Sequence, residues 1–495
     1  MKVICCIVIG VCLAIESAGQ EIPLNSWRTH FSYNSVSSIA ESPNRIFASA
    51  GVGLFAVDKD DGSIQRFSVS DGFQEVDVSV VYFDDASQIL MVGYSSGNLD
   101  LIVDGRVINF DLISDSQVIG SKAINDIVTI QSDAYIATDY GILKFDLARV
   151  EVRETYRELG ENAAQVRVNE VAILGDSLYA ATENGIQSAN FLSNDLASFT
   201  SWNRYDDFPT EVRVLAVAND RLYSLWNDTL YENLQGTWNE RTPSSGFRPT
   251  YLDSSTEGLL LIGRDRVEVM NGEEQVTRQI QSPVLEDAAK ALSGDDGRLW
   301  IGDLQTGLWA EAGGGLEYFS PSGPERTVPF RLSYTDKIVA LPGGFDSQGR
   351  PLGNDYGYST FDEGEWENLE IEVFRDVTSA AGSGVRMFLG SAGDGVLDLT
   401  NDVKYNETNS PLTDTGDGVV VPDLAFDDGD LYVLNLGAPE ALLKLDGNET
   451  WQSFAMPVFA RSATQLEVSS GYAWLVIPPN RGGGIFAVEP ESGTF

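Results

Sequence analysis

Val36–Ala40 (VSSIA), Arg45–Ser49 (RIFAS), Leu54–Val57 (LFAV) and Ile64–Phe67 (IQRF) are four short runs, separated by Ser42-Pro43-Asn44, Gly51-Val52-Gly53 and Asp60-Asp61-Gly62-Ser63. Apolar alternation between clusters of turn residues is the signature of an antiparallel meander. Four strands of about six residues and four connections of about five give roughly 44 residues, the length of one propeller blade. The phrase that ends the second run, a glycine leading into an apolar stretch, recurs at Gly53, Gly97, Gly141 and Gly185, each 44 residues after the last. It returns at Gly307, Gly357, Gly395 and Gly484. A repeat of this length built from strands specifies an all-β chain of tandem β-propellers with four-stranded antiparallel blades.

The phase of the repeat sets the domain organisation. Second strands are expected to start near Arg45, Leu90, Tyr135, Leu178, Leu222, Leu259, Leu299, Ile338, Met387, Leu431 and Ala473, which makes eleven units spaced by about 37 to 49 residues. A glycine between the second and third strands fits a tight hairpin, where a positive φ is free of steric cost only without a Cβ. Tryptophans at Trp27, Trp202, Trp238, Trp366 and Trp451 mark the outer strands and are expected to cover apolar area between blades. Helix signals are scarce, Pro283–Lys290 being the best candidate.

Seven units from Val36 to about Ala312 form one closed ring, and residues 20–320 are assigned to a first, seven-bladed propeller. Trp27–Tyr33 reads as an outer strand out of phase, able to close the ring by completing the last blade. Closure by later residues is the other arrangement the phase allows. Leu316–Phe319 can begin the second ring, so residues 321–495 are read as about four blades of a second, incomplete propeller. Phe486–Phe495 aligns without gaps on Phe55–Ile64, which makes the chain read as a piece of a longer protein that stops at the start of a fourth strand.

Residues 1–19 have the form of a Sec signal peptide: Lys2, an apolar run from Val3 to Ile15, then Glu16-Ser17-Ala18-Gly19. All three cysteines, Cys5, Cys6 and Cys12, fall inside it, so the exported chain is expected to carry no disulfide and no thiolate chemistry. No other segment approaches the length of a membrane span. With 74 acidic and 32 basic residues, the net charge of -42 repels nucleic acid and anionic membrane. It suits a chain kept soluble by an acidic surface.

Catalytic motifs are missing. The single histidine, His30, lies in the proposed closing strand and reads as structural. The runs Asp58–Gly62, Asp295–Gly297 and Asp427–Asp430 suggest calcium loops, but in the first the glycine falls fifth where the frame needs it sixth, and all three are read as hairpin turns. No catalytic, cofactor-binding or metal-binding residue is assigned, and no cofactor is expected.

The unit Asp295–Trp309 (DDGRLWIGDLQTGLW) resembles the regulator-type propeller repeat of bacterial sensor and surface proteins. Ser26–Tyr33 (SWRTHFSY) followed by Ile46–Phe55 (IFASAGVGLF) is similar to the N-terminal propeller of the PorZ family of Bacteroidota, most closely over residues 20 to 320. That resemblance implies two propellers followed by a C-terminal signal domain. It also implies a non-enzymatic cell-surface component of the type IX secretion system at the outer membrane. There it would act with the sortase PorU and the barrel protein PorV in coupling secreted cargo to anionic lipopolysaccharide. The other function carried forward is a periplasmic ligand-sensing propeller of a hybrid two-component regulator, with its ligand in the channel.

Overall fold

A computed structural model of the chain describes residues 28–111, 120–192, 195–347, 349–354, 357–384 and 386–490. The proposed signal peptide and Trp27 lie outside these residues. The described chain forms eleven antiparallel sheets, ten of four strands and one of three, with the strands of every sheet in chain order. Helical structure among these residues is limited to 3₁₀ segments of three to five residues. The fold is all-β, as the repeat implied, and each expected second strand begins within two residues of its anticipated start.

The chain divides into two compact units, one spanning Phe31–Ser322 and the other joining Gly323 onwards to the residues up to His30. The first unit holds seven blades, at residues 38–67, 78–110, 124–156, 168–204, 214–241, 251–281 and 288–318, referred to as blades 1 to 7. The innermost strand of each blade lies beside that of the next, and the innermost strand of blade 7 lies beside that of blade 1. Seven apolar cores fill the seven junctions between them. Strand alternation explains why the middle strands read as unbroken apolar runs. Along Arg45–Ser49, Ile46 and Ala48 face blade 7 while Phe47 faces blade 2, and both sides are covered.

Closure differs from the expected strand exchange. Leu316 belongs to Gly315–Tyr318, the fourth strand of blade 7, so that blade is complete from contiguous sequence and Leu316–Phe319 does not begin a second ring. Residues 28–37 form no strand. Instead, Tyr33 and Val36 are buried in the core between blades 7 and 1, against Phe55, Trp300 and Phe319. The Val36 N–H donates to the Asp303 carbonyl at 2.9 Å. Lys59 adds an ionic clasp there, holding Glu41 of blade 1 at 2.9 Å and also pairing with Asp295 of blade 7. The helix candidate is corrected as well: Ala288–Ser293 is the innermost strand of blade 7, where Ala288 and Ala291 pack into the core shared with blade 6.

The second unit holds four further blades, 8 to 11, at residues 331–369, 377–405, 424–454 and 465–488. Three apolar cores join them in series. Blade 11 has three strands among the described residues. Leu332 and Tyr334 on blade 8, and Tyr472, Trp474 and Ile485 on blade 11, are exposed.

Candidate functional site: the channel of the first propeller

The innermost strand of a blade has one edge without a partner, so its N–H and C=O groups must be satisfied by something other than a ladder. This chain does it with side chains that reach from one blade to the next. Ser79 Oγ donates to the Ile124 carbonyl at 2.6 Å, Asn125 Nδ2 to the Val168 carbonyl at 2.8 Å, and Asn169 Nδ2 to the Val212 carbonyl at 2.7 Å. The neighbouring position accepts. Ser38 Oγ takes the Val81 N–H at 3.0 Å, Asp126 takes that of Val171 at 3.0 Å, Glu170 takes that of Leu215, and Asp253 takes that of Ala291 at 2.9 Å. The second unit repeats the device: Thr378 Oγ1 donates to the Val421 carbonyl at 2.7 Å, and Asp423 accepts the Leu466 N–H at 2.8 Å.

The side chains of the first unit line a cavity of about 490 Å³ along the axis, with all seven innermost strands contributing to its wall. In it, Lys290 of blade 7 sits 3.2 Å from Asp253 Oδ1 and 3.8 Å from Glu170 Oε1, with Asp126 acting on it from further off. Blades 3, 4, 6 and 7 thus meet in one acid–base cluster. Burial works against the Lys290 charge, but the three carboxylates hold its ammonium above the ordinary lysine range. Burial pushes Glu170 up to about 8, an effect the attraction of Lys290 only partly offsets and the charge of Asp126 reinforces. Burial likewise pushes Asp126 up to about 6 and raises Asp253. In the second unit Asp423 pairs with Arg331, two blades away, and burial pushes it too up to about 6.

The residues singled out by sequence lie elsewhere. His30 packs edge-on against Phe361 of blade 8 at 4.9 Å, and its Nδ1 accepts the Trp366 indole N–H at 3.0 Å. It therefore contributes to the second unit rather than to a closing strand of the first. Trp238, Trp366 and Trp451 stand on fourth strands and Trp202 just before one; Trp202 and Trp238 are buried between blades, which suits packing and not a sugar platform. Asp58–Gly62 and Asp295–Gly297 are turns, with Asp58 and Asp61 accepting backbone N–H groups two residues on. Sequence reasoning missed the channel set. Its signal was present in the same period, since Asn125-Asp126 and Asn169-Glu170 are identical in pattern and 44 residues apart.

Among the described residues no helix is long and apolar enough to cross a membrane. The family model of the TSS9, PorZ, N-terminal beta-propeller domain matches residues 46–203. The resemblance read from the N-terminal phrases therefore stands. The structure of PorZ, an essential bacterial surface component of the type-IX secretion system of Porphyromonas gingivalis, is similar over 93% of this chain at 20% identity and a TM-score of 0.78. The chain spans 65% of that structure's length. The extracellular domain of a putative hybrid two-component system from B. thetaiotaomicron is similar over 93% of this chain and 64% of its own, at 14% identity and a TM-score of 0.42. A streptogramin B lyase covers 56% of this chain and 93% of its own, at 13% identity and 0.45. No curated protein matches the chain.

Proposed function

We propose that this chain is a non-enzymatic scaffold of the type IX secretion machinery, working at the cell surface where secreted cargo is attached. The match of residues 46–203 to the PorZ N-terminal propeller carries this reading, and the similarity of both units to the PorZ structure supports it. Its expected partners are the sortase PorU and the barrel protein PorV. The channel fits such a role, because its polar side chains are committed to holding blades together. A net charge of -42 disfavours direct contact with anionic lipopolysaccharide. The reading therefore gives the chain the task of holding the proteins that couple cargo to that lipid, rather than of binding the lipid itself.

The test is to tag the protein in its native cell, isolate it from solubilised outer membrane, and identify what accompanies it. Recovery of the sortase and the barrel, with release of cargo to the medium when the gene is deleted, is the expected result. If neither protein is recovered and cargo stays attached in the deletion strain, the reading is wrong.

A further inference from the structure

The channel cluster has a charge problem that its geometry states plainly. Fully ionised, Asp126, Glu170 and Asp253 against Lys290 leave an excess of negative charge in a cavity walled by protein. Among the described residues, the other polar and charged groups around the channel already have partners. Tyr82, on the innermost strand of blade 2, is neutral and hydrogen-bonded to Thr129 at 3.0 Å. Asp84, at the end of that strand, is held by Ser87 and Thr129. Arg213, beside the innermost strand of blade 5, and Arg167, beside that of blade 4, both pair with Glu211, Arg213 at 3.1 Å. Blade 1 contributes Ser38, and its Glu41 is paired with Lys59. Like charges this close cannot all ionise without cost.

Each carboxylate in the cluster also holds the backbone of the next blade: Asp126 joins blades 3 and 4, Glu170 joins 4 and 5, and Asp253 joins 6 and 7. Repulsion inside the channel therefore acts on the blade junctions themselves. We propose that this cluster is a proton-operated brace, which takes up protons as the propeller folds and holds its blades together more tightly at mildly acidic than at alkaline pH.

The sign follows from linkage. Carboxyls that keep their protons in the folded ring, with Glu170 pushed up to about 8 and Asp126 to about 6, ionise near pH 4 once unfolded. Between roughly pH 4 and 8 the folded state binds more protons, so stability falls as pH rises through that window and levels off above it. Each extra proton bound changes the folding constant about tenfold per pH unit.

Unfolding of the full chain followed by intrinsic fluorescence in urea, at intervals from pH 5 to 9, tests this. Glu170→Gln keeps an acceptor for the Leu215 N–H while removing a titrating group, and is expected to flatten the pH dependence by up to about tenfold per pH unit. Lys290→Met removes the cation and is expected to steepen it. Because Lys290→Met can fail to fold, a second measurement uses the unmutated protein: the carboxyl carbon resonance of Glu170 is followed by NMR and should titrate well above pH 5. Equal slopes for the unmutated protein and Glu170→Gln, or a Glu170 carboxyl that titrates at the ordinary value near 4, would overturn the proposal.

Discussion

A methyl group added at position 141 would meet the Tyr156 carbonyl oxygen at 2.1 Å, and one at 185 would meet that of Phe208 at 2.0 Å. Both glycines also hold positive φ, 130° and 102°. At these two positions the recurring glycine thus serves two ends at once, a left-handed turn and the close pass over the hairpin of the chain at the end of the outer strand or just beyond it. Hairpin geometry was legible in the sequence; the close pass was not, because it depends on where the fourth strand returns. Gly53 is required for a different reason. Its φ is not positive, and glycine is needed there because a Cβ would lie 2.9 Å from the Tyr33 ring. Gly141→Ala is expected to cost about 3 kcal/mol, combining left-handed strain with the clash. Gly175→Ala, at φ 59° with nothing within 4 Å, should cost only about 1 kcal/mol. Urea denaturation of the two variants separates strain from contact.

Blades in this chain are joined by apolar cores and by a small set of polar bridges, and the two should respond differently to substitution. Tyr33 lies in the core that closes the first ring although it belongs to no strand. Tyr33→Ala is expected to destabilise that propeller by about 3–5 kcal/mol, the range for removing a buried aromatic ring. Ser79→Ala deletes the bridges to the Ile124 and Gly93 carbonyls, at 2.6 and 3.1 Å. Its expected cost is about 1 kcal/mol, read from the shift in denaturant midpoint at unchanged slope. A clasp at Trp27–Tyr33 would be needed only by a blade that lacks its outer strand. Blade 7 has its own in Gly315–Tyr318, so the N-terminal segment was free to fill the junction with side chains instead.

Across the whole molecule, the acidic surface sets a repulsion that salt should relieve. Raising sodium chloride from 20 to 500 mM is expected to raise the thermal midpoint by roughly 2–6 °C, equivalent to about 1–2 kcal/mol; a flat response in differential scanning fluorimetry would show that the excess carboxylates stand too far apart to repel one another strongly. The number of blades, the order of their strands and the positions of their hairpins were determined by sequence alone, because each blade is a local meander whose turns and alternation lie within about 44 contiguous residues. Tertiary structure alone decided how the first ring closes, that His30 packs on blade 8, and that Asp126, Glu170, Asp253 and Lys290 share one cavity. Those contacts join residues far apart in the chain, and only curvature around a common axis brings them within reach of one another.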